Sequence, residues 1–166
     1  MKIIVMSDSH GAFSHVQKVA RLQQDADLFV FLGDGERDLN QLFASEPWFE
    51  EKFLVVGGNC DAGLLLPQAR PVWEYTLPYG HKLFAAHGHR FDVYYTTARM
   101  EHLARESHAD IVLYGHTHCR DMRFEDGIYI LNPGSMGSPR DGKPPSYGVI
   151  SLSERGVLTN IVDVPR

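Results

Sequence analysis

The sequence predicts an α/β fold in one domain spanning residues 1–166, and three observations carry that expectation. Through the first half, short apolar runs each end in a polar cluster and are followed by helical patterns. The second half is a succession of short alternating segments separated by Gly, Asp and Pro turns. No internal repeat, low-complexity tract or composition shift marks a linker, and 166 residues with 43% apolar content suffice for one continuous core.

Lys2 to Met6 is a β-branched apolar run that stops at Ser7-Asp8-Ser9-His10-Gly11, as a buried strand stops where its loop begins. Ser14 is the expected cap of a helix on which Val16, Val19, Ala20 and Gln23 recur at helical spacing. Asp27 to Leu32 repeats the theme, ends in Gly33-Asp34-Gly35 and precedes a helix carrying Leu39, Leu42 and Phe43. Phe53 to Val56 follows and ends in Gly57-Gly58-Asn59-Cys60-Asp61. These units predict a largely parallel start. Val72 to Leu77 and Lys82 to Ala86 flank Pro78-Tyr79-Gly80 and read as a hairpin. A helix is expected from about Tyr94 to Glu106, then a buried strand, Ile111 to Tyr114, ending in Gly115-His116-Thr117-His118. Asp121 to Glu125, Gly127 to Leu131, Tyr147 to Leu152 and Val157 to Val162 form a β-rich end on the same core. Gly134 to Pro145, rich in Gly, Pro and Ser, reads as a mobile loop. Phe and Tyr in the strands are expected in the core.

Composition narrows the function. A formal charge of −5 and the lack of any Lys/Arg-rich run argue against extended nucleic-acid binding, although a short nucleotide remains a candidate substrate. The amino terminus has too few apolar residues for a signal peptide or a membrane span, so a cytoplasmic protein without a membrane partner is expected. Cys60 and Cys119 form no C-x-x-C pair, which suits a reducing compartment and suggests no thiolate site. Oligomeric state is left open, with a homo-oligomer compatible.

Nine histidines is a high number for this length, and several fall in the five polar clusters that finish predicted strands: Asp8-Ser9-His10, Gly33-Asp34, Gly58-Asn59, His87-Gly88-His89 and Gly115-His116-Thr117-His118. Ligand sites of α/β sheets lie outside the carboxyl ends of strands, so these ends converge on one crevice. In each Asp-x-His or His-x-His pair, extended backbone would aim both side chains the same way. Imidazole, carboxylate and amide oxygen suit Mn²⁺, Fe²⁺, Ni²⁺ or Zn²⁺. Seven such groups (Asp8, His10, Asp34, Asn59, His87, His116 and His118) exceed the needs of one tetrahedral ion. Two ions roughly 3.5–4 Å apart sharing a carboxylate would use them all.

These residues, in this order, resemble the motifs of calcineurin-like metallophosphoesterases from residue 8 to residue 118. Within that superfamily they resemble the YfcE-type small phosphodiesterases, because the chain is minimal, the third motif ends in Asp61, and Asn132-Pro133-Gly134-Ser135 follows the last motif. The resemblance implies a four-layer α-β-β-α sandwich. It implies that Asp8, His10, Asp34 and His118 hold one metal and that Asp34, Asn59, His87 and His116 hold the other and serve catalysis, with Asp34 as the bridge. The implied activity is a metal-dependent phosphodiesterase, with manganese the first expectation, in which a hydroxide bridging two divalent ions attacks a small phosphate ester. The same resemblance admits a phosphomonoesterase or nucleotidase, or a non-catalytic scaffold similar to the retromer subunit Vps29.

Many larger members place a histidine after the motif asparagine, where it protonates the leaving oxygen; Cys60 stands there in this chain, which favours leaving groups needing little protonation. Asp61 is expected to fix its loop through backbone hydrogen bonds, and Asn132 to Ser135 to buttress the site. Glu36, Arg37 and Asp38 read as a solvated helix start. His89 is either a neighbour of the site or solvent-facing, and Arg140 either meets phosphate or sits in a free loop. Cys119 is expected to pack. His15, His81, His102 and His108 are expected at the surface.

Overall fold

The computed structural model describes residues 1–165. Ten strands and three α-helices form in the order β1 (Lys2–Met6), α1 (Phe13–Leu22), β2 (Leu28–Phe31), α2 (Glu36–Ser45), β3 (Phe53–Val55), β4 (Val72–Thr76), β5 (Lys82–Ala86), α3 (Ala98–Glu106), β6 (Ile111–Leu113), β7 (Arg120–Glu125), β8 (Ile128–Pro133), β9 (Ser146–Ser153) and β10 (Gly156–Asp163). They make two five-stranded sheets, ordered β10-β9-β1-β2-β3 and β4-β5-β6-β8-β7.

Both sheets are mixed: the first is parallel from β1 to its β3 edge and antiparallel on its other side, and the second is parallel in the middle and antiparallel at both edges. In the first, β1, β2 and β3 are parallel, while β9 pairs antiparallel with β1, Ile3 opposite Ile150. In the second, β5, β6 and β8 are parallel and the β4–β5 and β7–β8 pairs are antiparallel. The β-rich end therefore divides: β7 and β8 complete one sheet, and β9 and β10 return to the other.

Three apolar layers explain the near-continuous hydrophobic runs. Ile3 and Val5 of β1 and Val30 of β2 face Leu83, Ala85, Ile111 and Leu113 between the sheets. Their alternates, Ile4, Met6, Phe29 and Phe31, pack under Val16, Val19, Leu39 and Leu42 of α1 and α2. Phe84, Ala86 and Val112 likewise pack under Met100 and Ala104 of α3. A strand covered on both faces reads apolar at every position. The result is the four-layer α-β-β-α sandwich.

Several local expectations are corrected. Ala12, not Ser14, occupies the cap position of α1 and makes no side-chain cap bond. The third helix starts at Ala98, because Phe91 to Thr97 is taken up by turns, with Asp92 at φ 57° and the Tyr95 and Thr96 amides both donating to Asp92 O. Gly134 to Pro145 is fastened rather than free: Ser135 and Met136 are buried, and the Met136 and Gly137 amides donate to Ser7 O and Asp8 O. His15 is half-buried with Nδ1 2.7 Å from Met136 O, and His81 pairs with Asp110 at 2.6 Å, so neither is a free surface side chain. Tyr75 and Phe124 lie exposed on the edge strands β4 and β7 instead of in the core. Among the described residues no helix is long and apolar enough to cross a membrane.

Candidate metal centre

The carboxyl ends of β1, β2, β3, β5 and β6 meet at one crevice, and all seven candidate ligands come together there. His118 Nε2 lies 3.2 Å from Asp8 Oδ1 and 3.1 Å from His10 Nε2. Asp34 Oδ2 lies 3.7 Å from His10 Nε2 and 3.4 Å from His87 Nε2, which in turn is 3.1 Å from Asn59 Oδ1. The His116 ring sits 5.0 Å from that of His87, centroid to centroid.

Extended backbone is not what aims these groups. Asp8, His10, Asp34, His116 and His118 all have positive φ, between 45° and 67°. A non-glycine residue in this region costs on the order of 1 kcal/mol or more, and such residues gather where the surroundings hold them for a purpose. The holding bonds are visible: the Asp8 amide donates to Gly33 O, the His10 amide to Asp34 O and the His116 amide to Asp8 Oδ2. Glycine is required where the loops touch. A Cβ on Gly58 would collide with Asp34 Oδ1, and one on Gly115 with Ser7 Oγ.

The hydrogen bonds around the centre leave lone pairs pointing inward. His87 Nδ1 is 2.6 Å from Leu32 O and His118 Nδ1 is 2.7 Å from Ser138 O. A carbonyl only accepts, so each Nδ1 carries a proton; in the neutral ring Nε2 is then bare towards the centre, and without a cation the neighbouring carboxylates draw a proton onto it instead. Asp8 Oδ2 accepts from Ser7 Oγ and the His116 amide, while buried Asp8 Oδ1 has no hydrogen-bond donor. Asp34 Oδ1 accepts the Cys60 amide, which leaves Oδ2 between His10 and His87. Acceptors therefore face acceptors, an arrangement that calls for positive charge between them.

The titration behaviour of the side chains expresses the same demand. The hydrogen bond to Asp8 raises the His118 imidazole above its ordinary value against the effect of burial. Burial would lower His87, but the Asp34 hydrogen bond and the Asp8 and Asp34 charges outweigh it and raise it. Burial would raise Asp34, yet His87 and the Cys60 amide hold it well below the carboxylate range. Partial burial, and the His87 charge beside it, lower the half-buried His116. The Cys60 thiol is pushed up to about 11, first by its hydrogen bond to Asp34 and then by burial.

The surrounding residues show what the sequence reading anticipated and what it missed. Asp61 fixes its loop as expected, accepting the amides of Asp34, Gly35, Glu36 and Gly58. Asn132 donates to Gly115 O and Thr117 Oγ1, and Ser135 Oγ to Asp8 O, so this segment does buttress the site. Glu36 and Asp38 are not solvated: both are buried, Glu36 accepting four amides between Ala62 and Leu66 and Asp38 accepting Ser9 Oγ and the Gly11 amide. His89 is half-buried next to His87, its Nδ1 without a hydrogen-bond partner. Tyr94 was unforeseen: its ring packs edge-on against His116, its hydroxyl donates to His116 O, and Arg140 Nη1 donates to that hydroxyl. Only its place beside Phe91 in an aromatic-rich stretch hinted at a role, and that stretch reads equally well as core.

The model of the calcineurin-like phosphoesterase superfamily domain matches residues 1–155. Phosphodiesterase YfcE of Escherichia coli K12 is 31% identical over 191 aligned positions, covering 99% of this chain and all of the relative. The crystal structure of a predicted phosphoesterase from Streptococcus pneumoniae TIGR4 superposes with a TM-score of 0.80 at 31% identity, covering 98% of this chain and 88% of that one. Zn²⁺-complexed Vps29 of Entamoeba histolytica shares the fold, with a TM-score of 0.71 at 19% identity over 99% of this chain and all of its own. The chain belongs to the calcineurin-like phosphoesterase superfamily, whose members use divalent metals.

Proposed function

We propose that this chain is a binuclear-metal phosphodiesterase acting on a small phosphate ester. One ion is held by Asp8, His10, Asp34 and His118 and the other by Asp34, Asn59, His87 and His116, with Asp34 shared. The observation that carries the reading is the convergence of Asp8 Oδ1, Asp34 Oδ2, Asn59 Oδ1 and the Nε2 atoms of His87 and His118, a set made wholly of acceptors when the two rings are neutral. When bound, two divalent ions neutralise phosphate oxygens and lower the pKa of water, so that a hydroxide is available for in-line attack.

The chain's own residues do the positioning. The carbonyls of Leu32 and Ser138 lock the His87 and His118 rings, and the Cys60 amide fixes the rotation of the Asp34 carboxylate. Imidazole and oxygen donors suit Mn²⁺ first, with Fe²⁺, Ni²⁺ and Zn²⁺ also accommodated. The diester preference rests on Cys60 standing where an imidazole acid would be needed for poor leaving groups. A thiol whose pKa is about 11 gives up its proton reluctantly at neutral pH. The likeness to a relative named a phosphodiesterase supports the same reading. Two free cysteines, one of them exposed, suit the reducing cytoplasm.

A chromogenic aryl diester and the matching monoester, assayed with the metal-stripped protein and added Mn²⁺, test the proposal. The expected result is metal-dependent turnover with the diester ahead by about tenfold, a difference of about 1.4 kcal/mol in barrier. A monoester lead would replace the diester reading with a monoesterase. No turnover with Mn²⁺, Fe²⁺, Ni²⁺ or Zn²⁺ would leave a scaffold similar to Vps29.

A further inference from the structure

We infer that Cys60 is a thiolate ligand for thiophilic divalent ions, Zn²⁺ or Cd²⁺, that bind at the open side of the centre beside His10 and Asp34. The inference rests on the binuclear reading above and adds a donor that the seven-residue set lacks.

Cys60 Sγ, a His10 ring nitrogen and an Asp34 carboxylate oxygen all lie within 4.8 Å of one another, a span that one ion can close. The thiol is exposed on a groove lined by His10, Gly11, Asp34, Arg37 and Asp38, so an ion reaches it without displacing the core. Its backbone is pinned by the Cys60 amide on Asp34 Oδ1, 2.8 Å, and Asn59 Nδ2 approaches Sγ at 3.3 Å. The sulfur is thus held at the centre. A second feature calls for a cation on the adjoining side of the centre, where His10 also faces Asp8 and His118. Asp8 Oδ1, fully buried and without a donor, lies 3.8 Å from the same His10 Nε2. Cys119 has no such company; among the described residues it joins no group of potential ligands.

On binding, the Cys60 S–H bond breaks, its proton passes to solvent and the sulfur lone pair forms the bond to the ion, with no oxidant or reductant required. Soft thiolate favours Zn²⁺ and Cd²⁺ over the harder Mn²⁺. With Mn²⁺ the side chain stays a thiol, and Cys60 therefore acts as a selector of metal identity at this centre.

Cadmium titration of the full, metal-stripped chain tests this, with the ultraviolet thiolate-to-cadmium charge-transfer band read alongside calorimetric binding of Cd²⁺ and Mn²⁺. Wild type and Cys119→Ser should develop the band, and Cys60→Ser should bind Cd²⁺ without it. In Cys60→Ser the preference for Cd²⁺ over Mn²⁺ should fall by about 10- to 100-fold, the scale on which a site's surroundings tune metal affinity. Calorimetric Cd²⁺ binding to wild type with no band overturns the thiolate ligand and leaves the binuclear centre standing. A band that survives in Cys60→Ser and vanishes in Cys119→Ser overturns it as well. Wild type that binds neither ion overturns both.

Discussion

Asp34→Asn is expected to lower metal-dependent phosphoesterase turnover by about a thousandfold, equivalent to about 4 kcal/mol of transition-state stabilisation, while the metal-free protein keeps its thermal stability. Asparagine matches aspartate in size, and its carbonyl oxygen still accepts the Cys60 amide that now bonds Asp34 Oδ1. In place of Oδ2 it presents an amide N–H, which suits the bare Nε2 of His87 3.4 Å away but cannot bridge two cations. The substitution thus keeps a hydrogen-bonding partner for His87 in the metal-free state while removing the shared ligand. His116→Ala should act in the same direction by deleting one ligand. Its amide would still donate to Asp8 Oδ2, so the loop stays closed, and alanine at φ 67° bears the left-handed strain that histidine already bears there. Measuring kcat, KM and Tm for both variants checks the assignment. Turnover at the wild-type level in either would sink it.

The strands were legible because the fold covers them twice. Residues 2–6, 28–31, 82–86 and 111–113 lie in sheets with apolar layers on both faces, so sequence alone exposes them as unbroken hydrophobic runs. What the pattern does not encode is partner choice. Nothing near Ser146–Ser153 states that this strand lies against Lys2–Met6, because register is fixed by side chains far away in sequence. The late start of the third helix is hidden for a related reason: Tyr94 to Thr97 fits a helical pattern, and the turn at Asp92 that delays the helix depends on local φ values.

The site was legible at the level of residue identity and position at strand ends, and all seven candidates do converge. Its means of convergence was not. Alternation aims Asp8 and His10 alike only in extended backbone, whereas both residues are left-handed and are held so by carbonyls of the next loop. The segment Gly134–Pro145 shows the opposite failure, since a Gly/Pro/Ser composition signals turns and says nothing about whether those turns are anchored. Here Ser135 and Met136 are buried under the first motif. Buried carboxylates are the hardest to foresee, because Glu36 and Asp38 sit in the first turn of a helix where acidic residues are ordinary.

Glu36 carries the second large expected effect, this time on stability. Its Oε2 accepts the amides of Ala62 at 2.9 Å and Gly63 at 3.2 Å, and its Oε1 those of Leu65 at 2.6 Å and Leu66 at 3.3 Å. Asp61 answers from the opposite loop by accepting the amides of Asp34, Gly35 and Glu36 at the start of α2. The two carboxylates therefore lock the loop that carries Asn59 and Cys60 to the loop that carries Asp34. Glu36→Ala removes a buried acceptor and strands the Leu66 amide in a buried setting, at a cost of about 2–3 kcal/mol. At roughly 2–4 °C per kcal/mol for a chain of this size, Tm should fall by about 5–10 °C. The dependence on pH has a definite sign. Burial would raise the Glu36 carboxyl, but the four amides outweigh it and hold it below the ordinary glutamate value. A depressed folded value means that the stabilisation is present above the unfolded pKa and is lost as pH falls through the folded one. The gap in Tm between wild type and Glu36→Gln should accordingly be full at neutral pH and narrow below about pH 4. A Glu36→Ala variant whose Tm stays within about 1 °C of wild type would show that the lock between the two loops lies elsewhere.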